Sequence, residues 1–434
     1  MITQNLQESR SGRLIGGLSL DHSEIPQSLL NIESKDRSNP FPWNGQFSPQ
    51  LVEVLLKTYA ASNAVVLDPF AGSGTVLYEA GRKGLSAIAT EINPAAYLMT
   101  SIYEMMNLEL HRREEIVFQV DSLIRQAFPE NLPLFFSTTL NLTEETIKNI
   151  LLSFQTLLSD RLARRLLQSL IIRLDFYQSG LNDEKVLTVW NKMRTFIQGL
   201  PYSESRIEIH HCDARAIPIP SETVDLVITS PPYINVFNYH QQYRASTEAM
   251  GWDVLTVAKS EIGSNRKNRG NRFLTVIQYC LDLAQVLKHL ASFLRTSGRA
   301  IFVVGRESRV RGVPFFNGEI VSALGTKCAG FNLKLRQERV FKNRFGEMIY
   351  EDILHFDQPN KQFEDPLPNA RTIADGILLE AMKQSSGKVA NDVITDLESA
   401  RESVVRVMPS PLYRTETACK NGTAGIGKEF LLSA

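Results

Sequence analysis

Short apolar runs that stop at a polar residue recur along the chain. Ala64 to Leu67 stops at Asp68, Ser86 to Thr90 at Glu91, Ile207 to Cys212 at Asp213, and Val224 to Ile228 at Thr229 and Ser230. Runs of this length, bounded by turn residues, read as buried strands because they are too short for helices. A further strand, Gly298 to Gly305, follows an amphipathic stretch from Phe273 to Leu294 that predicts a helix. Leu333 to Phe341 and Ile349 to Phe356 flank Asn343-Arg344-Phe345-Gly346 and read as a terminal hairpin. Strands alternating with helices predict an α/β fold, a doubly wound, seven-stranded Rossmann-like sheet with polar groups at the carboxyl ends of its strands.

The remaining stretches follow other patterns. Residues 1–40 are polar and weakly periodic, which predicts a mobile or loosely docked arm. Ser48 and Pro49 predict a helix start running through Leu51, Val52, Leu55 and Leu56. Within 99–204, Asn141-x-x-Glu144 resembles a helix-opening box, and Ile147, Ile150, Leu151, Phe154, Leu157, Leu158, Leu162, Leu166 and Leu170 recur at helical spacing. This predicts a helical insert between two catalytic blocks, 41–98 and 205–357. Arg161, Arg164, Arg165 and Arg173 stand on it, either solvated or facing a polyanion. The extension 358–434 predicts one or two polar helices, Thr372 to Met382 and Val389 to Val407, with no visible chemistry.

Three stretches carry candidate chemistry. In Asp68-Pro69-Phe70-Ala71-Gly72-Ser73-Gly74-Thr75 the glycines allow a tight strand-to-helix turn and a ligand close to the backbone. No lysine follows Gly74, so this is not a P-loop. Leu77 stands where a dinucleotide fingerprint wants glycine or alanine, and Asp68 would repel a pyrophosphate. An acid ahead of the loop suits a cationic ligand, such as one with an ammonium and a sulfonium. Glu91, about 20 residues beyond the loop, is placed to grip a ribose diol, and Asp213 to take an adenine amino group. In Thr229-Ser230-Pro231-Pro232-Tyr233 the prolines end the strand and lack N–H groups. They leave a hydroxyl, unpaired carbonyls and an aromatic ring, which suits an exocyclic amino group on a flat base. Alone, such a stretch also serves as a plain strand-ending turn. Third, Lys259 to Arg272 concentrates Lys259, Arg266, Lys267, Arg269 and Arg272 against Glu261 in a glycine- and asparagine-containing loop. Its alternatives are a phosphate clamp and a solvated surface run.

Composition narrows the setting. The 434 residues carry 47 Lys and Arg against 47 Asp and Glu, so affinity for a polyanion must come from a local patch. The four cysteines show no metal-ligand spacing and no disulfide framework, which predicts no metal and a reducing compartment. The N-terminus lacks a signal peptide's apolar core and no long uncharged apolar run occurs, so a cytoplasmic protein without a membrane partner is expected.

The pair of motifs resembles the S-adenosylmethionine-dependent amino-methyltransferases of DNA. Asp68 to Thr75 matches that family's cofactor loop and Ser230, Pro231, Pro232 and Tyr233 its catalytic motif. Glu91 matches its ribose-binding acid, Asp213 and Ala214 its adenine-side contact, and Phe41 to Leu51 its entry segment beside the methionine end. The resemblance spans roughly 41–98 and 205–357. It implies a methyltransferase sheet, S-adenosylmethionine as cofactor and double-stranded DNA as partner, with a nearby-encoded restriction endonuclease as a second partner. Ser230 in the first motif position points to cytosine N4, whereas adenine N6 enzymes more often carry Asp or Asn there. Adenine-N6 methylation, a tRNA guanine amino-methyltransferase and an idle cofactor- or DNA-binding protein are the alternatives. Methylation at cytosine C5 needs a thiolate, commonly after proline, and no cysteine here follows one.

Overall fold

The structure is a computed structural model. It describes residues 20–21, 23–34, 36–129, 142–234, 238–263, 268, 270–343, 345–358, 364–385 and 387–414. Its strands are β1 (Val65–Asp68), β2 (Ser86–Thr90), β3 (Ile207–His210), β4 (Val224–Thr229), β5 (Leu294–Gly305), β6 (Glu307–Val310), β7 (Val313–Phe316), β8 (Asn332–Lys342) and β9 (Met348–Asp357). Seven of them form one sheet in the order β3-β2-β1-β4-β5-β9-β8. The first five run parallel, and β9 pairs antiparallel with both β5 and β8. Chain order reverses between β1 and β4, so the crevice at their carboxyl ends is where a doubly wound sheet binds its ligand.

The helices are α1 (Gln27–Asn31), α2 (Pro49–Tyr59), α3 (Thr75–Arg82), α4 (Pro94–Ser101), α5 (Leu110–Ala127), α6 (Glu144–Leu157), α7 (Arg161–Leu174), α8 (Asp183–Gln198), α9 (Arg244–Ala249), α10 (Val254–Ser260), α11 (Leu274–Phe293), α12 (Asn317–Cys328), α13 (Leu367–Ser385) and α14 (Asn391–Glu402). Strand side chains alternate between the sheet's two faces. Val66, Leu226, Ile228, Ile301 and Val303 join the core beneath α2 to α8, whereas Leu67, Val227, Phe302, Val304 and Leu354 join the core beneath α11 to α14. Two buried faces explain why these strands read as continuous apolar runs rather than as alternating ones.

Several elements differ from the sequence reading. Beyond Gly305, in a stretch where the apolar pattern predicts no strand, β6 and β7 form an antiparallel hairpin, turning at Arg311 and Gly312, both at positive φ. Helix α6 is opened by Thr143, whose side chain accepts from the Thr146 amide. Asn141, expected to open it, lies outside the described residues. The described part of the N-terminal arm is docked, with Ile25 and Leu30 buried and the Asp21 amide donating to the Arg336 carbonyl. On the insert, Arg165 is buried and paired with Glu104, and Arg164 donates to the Leu158 carbonyl at 2.6 Å. Helix formation had been expected there, but burial of an arginine had not. The C-terminal extension packs α13 on α11 and α12 and α14 on α13, and both helices join the second core, where polar helices with no visible chemistry were expected.

Candidate functional site

The loop after β1 turns on Gly72 (φ 53°) and Gly74 (φ 83°), in the left-handed region where glycine carries no steric penalty. Gly74 is also tightly packed, since a Cβ there would lie 2.6 Å from Tyr103 Cε2 and 2.8 Å from Thr100 Cγ2. The loop is pinned from β2 and α4: the Ala71 amide donates to the Thr90 carbonyl, and Thr100 Oγ1 to the Gly72 carbonyl at 2.7 Å. Glu91 fixes it from the neighbouring strand. Its Oε2 accepts from the Gly72 amide and its Oε1 from the Asn93 amide, each at 2.8 Å. Burial pushes the Glu91 carboxyl up to about 7, with the charges of Asp68 and Glu261 acting in the same direction and the two amides opposing.

These groups border a cavity at the strand tips with about 860 Å³ of atom-free space, its open mouth included. Among the expected cofactor residues, Pro69, Phe70, Gly72, Thr75, Glu91, Asp213 and Ala214 line it. Asp68, Ser73 and Gly74 do not. Asp68 Oδ1 accepts from Thr229 Oγ1 at 2.7 Å and from the Phe70 amide at 3.1 Å, and burial raises its carboxyl to about 7. Asp68 therefore joins the tips of β1 and β4. Ser73 donates to Gln46 Oε1 at 2.9 Å.

Ser230 and Pro232 of the diproline edge line the same cavity; Pro231 and Tyr233 do not. The Tyr233 hydroxyl is 3.2 Å from Ser230 Oγ, and its ring lies against Gly305, where a Cβ would come within 3.1 Å of Cε2. Burial raises the phenol's pKa, with Glu351 adding to the effect. Expected as an exposed stacking ring, Tyr233 is half-buried and tethered to Ser230.

Asp213, expected to take an adenine amino group, is more occupied than its motif suggests. Its Oδ1 and Oδ2 accept from Arg215 Nε and Nη2 at 2.9 and 2.6 Å, and Oδ2 also accepts from the Tyr413 amide at 3.1 Å. Arg215 donates onward to Asp282 and to the Ser410 and Pro411 carbonyls. The C-terminal extension therefore braces the floor of the cavity. Nothing local in 358–434 signals this, because the contacts are made to backbone carbonyls and an amide.

The covering wall joins the Phe41–Leu51 segment, expected beside the methionine end, to a second segment around Tyr239 that no motif marked. Trp43 stacks on Tyr239 with ring centroids 6.0 Å apart and planes 10° apart, and Tyr243 donates to the Pro42 carbonyl at 3.0 Å. Segments some 200 residues apart thus meet, and Trp43, Gln46, Phe47 and Tyr239 all line the cavity. Ser260, Glu261 and Ile262 complete this side. Of the expected polyanion contacts, Lys259 is exposed on the last turn of α10 rather than on a loop, and Arg272 is exposed beyond it. Arg266, Lys267 and Arg269 lie outside the described residues. After Gly305, Arg306, Arg309 and Arg311 are each paired with acids. Among the described residues no group of three or more His, Cys, Asp or Glu could hold a metal ion, and no helix is long and apolar enough to cross a membrane.

Comparison with known proteins adds a family. An N6/N4 methyltransferase family model, described as DNA methylase, matches residues 11–101. The type II methyltransferase M.MjaII of Methanocaldococcus jannaschii is 30% identical over 91 residues, 21% of this chain and 17% of that protein. The type II methyltransferase M.BsoBI of Geobacillus stearothermophilus is 28% identical over 262 residues, 48% of this chain and 51% of that protein. The matches thus span about half of one curated relative and about a sixth of the other. Among solved structures, a SAM-dependent methyltransferase of Methanosarcina mazei is 11% identical with a TM-score of 0.32, covering 71% of this chain and 98% of that one. The rRNA methyltransferase aviRa of Streptomyces viridochromogenes is 12% identical with a TM-score of 0.30, covering 77% and 92%. Scores this low add nothing to what the strand order already says. On its two motifs and these partial matches, the chain is similar to the DNA amino-methyltransferases, a family that covers both N6 and N4 targets.

Proposed function

We propose that the protein transfers a methyl group from S-adenosylmethionine to an exocyclic amino group of DNA, the N4 amino group of a flipped-out cytosine. One observation carries the proposal: the family's cofactor loop and its diproline edge border a single cavity, Gly72 and Glu91 on one part of the wall and Ser230 and Pro232 on another. The cavity fits the cofactor in character. It has buried carboxylates for a cationic ligand and aromatic and aliphatic walls for an adenosyl group. When bound, S-adenosylmethionine supplies a methyl group activated by its positive sulfur.

The chain's own residues position and accept. An exocyclic amino group is a weak nucleophile because its lone pair is delocalised into the ring. Ser230 Oγ and one carbonyl, of Ser230 or of Pro231, accept its two N–H bonds and so bring the nitrogen towards tetrahedral geometry. The prolines contribute no competing N–H donors. With Ser230 donating to the Tyr233 hydroxyl, both Oγ lone pairs stay free for the substrate, and Tyr233 orients Ser230. Positioning and electrostatics carry the rate, without a covalent intermediate. The target atom is out of reach inside a duplex, so the base is everted first. Cofactor contacts fall to Pro69, Phe70, Gly72, Thr75, Glu91 and the 213–214 backbone, and the exposed Lys259 and Arg272 meet the phosphates. The choice of N4 rests on Ser230 opening the motif. The restriction partner rests on the family resemblance alone.

The test is incubation of the purified protein with duplex DNA and methyl-labelled S-adenosylmethionine, followed by digestion and nucleoside chromatography. Label in N4-methylcytosine is expected. Label in N6-methyladenine would move the target base, and an unlabelled digest from a protein that binds the cofactor would sink the activity.

A further inference from the structure

Three acids line the cavity, and two are fully engaged by protein donors. Both oxygens of Glu91 accept backbone amides, and both of Asp213 accept from Arg215. The third, Glu261, differs. It is only 7% exposed; its Oε2 lies 2.7 Å from Nδ1 of the fully buried His240, and its Oε1 has no hydrogen-bond partner among the described residues.

We propose that Glu261, braced by His240, is a cofactor-binding residue whose free oxygen receives a positively charged group of the methyl donor. The assignment rests on the methyltransferase reading above. Neither the cofactor loop nor the diproline motif contains Glu261, and it stands in a stretch whose positive charges had drawn attention instead.

Local structure explains how the carboxylate is held. Asp253 caps α10 by accepting from the Thr256 amide at 3.1 Å, and the helix ends at Ser260, with the Glu261 amide donating to the Val257 carbonyl. Val257 is fully buried against Tyr413 and Ile92, so the last turn is fixed against the cavity floor. The residue after that turn is delivered to the cavity between Ser260 and Ile262, which also line it.

Energetics then call for an occupant. A buried carboxylate oxygen without a donor bears its full desolvation penalty. Glu261 also stands close enough to raise the Glu91 carboxyl by repulsion, so the wall concentrates like charges. A cation entering the cavity satisfies the free oxygen and relieves that repulsion in one step. Asp68, which the sequence had offered for the cation, is turned towards Thr229 and does not line the cavity.

Calorimetric titration with S-adenosylmethionine and with 5′-methylthioadenosine, which has the adenosyl group but neither the ammonium nor the sulfonium, tests the assignment. Glu261→Gln is expected to raise the Kd for S-adenosylmethionine about tenfold or more, the scale of one charge-assisted hydrogen bond. The Kd for methylthioadenosine should change less than about twofold. His240→Gln, which keeps the charge but loosens its support, should give a smaller loss confined to S-adenosylmethionine. Equal losses for both ligands, or an unchanged Kd for S-adenosylmethionine in a folded Glu261→Gln protein, would overturn the assignment while leaving the methyltransferase reading intact. Wild-type protein that binds neither ligand would overturn both.

Discussion

The two walls of the cavity are built in opposite ways. The sheet wall consists of strand tips and one loop, and its acids are satisfied from within: Glu91 by two amides, Asp68 by Thr229 and the Phe70 amide. The covering wall is assembled from distant segments, Trp43 stacked on Tyr239 and Glu261 braced by His240, and it leaves an oxygen open. A wall that is complete without ligand supplies shape. A wall with an unanswered charge supplies recognition. The sheet side should therefore dominate stability, and the covering side should dominate discrimination between charged and neutral ligands.

The hardest blow to the sheet wall is Gly74→Ala. The new methyl would meet Tyr103 and Thr100 at well under contact distance while the backbone holds a φ of 83°. Left-handed strain of about 1–2 kcal/mol and overpacking of about 1–3 kcal/mol act together. A loss of about 2–5 kcal/mol is expected in urea unfolding, alongside lost cofactor affinity. A loss of affinity with unchanged stability would put the loop's role in recognition rather than in shape, against the contrast between the walls. Glu261→Gln, described above, is the counterpart, with the larger change expected in affinity.

A smaller effect sharpens the contrast through pH. Burial holds the Asp68 and Glu91 carboxyls near 7, well above the range of an exposed acid. For folding, this makes their contribution greatest below about pH 4, where both states are protonated, and diminishing as pH rises from about 4 to 7. For binding the sign reverses. A cation favours the ionised form of Glu91, which lines the cavity, so S-adenosylmethionine affinity should rise several-fold between about pH 5.5 and 7.5 and then level off. Calorimetry at three pH values checks this, and a flat profile would mean that Glu91 does not sense the ligand's charge.

What could be read from the sequence divides along the same line. The sheet wall was legible because each piece is local: an apolar run, its terminal acid and its glycine turn lie within about twelve residues of one another. Even there, Asp68 and Asp213 were recognised as acids but not as already engaged, since Thr229 and Arg215 compete for them through side-chain geometry that spacing does not encode. On the covering wall the Phe41–Leu51 segment was legible through the family resemblance, but its partners were not, because the contacts join residues 43 with 239 and 240 with 261. The β6–β7 hairpin was missed for another reason. It turns on Arg311 at positive φ, an unusual residue for that conformation, so the usual turn signal was weakened to Gly312 alone.

A crystal structure of the protein with bound S-adenosylhomocysteine tests the central claim most directly. The account predicts the ligand between the Gly72 loop and the Trp43–Tyr239 stack, its ribose at Glu91, its ammonium at Glu261 Oε1 and its sulfur towards Ser230. A ligand bound away from the strand tips, or a cavity still empty at saturating ligand, would contradict it.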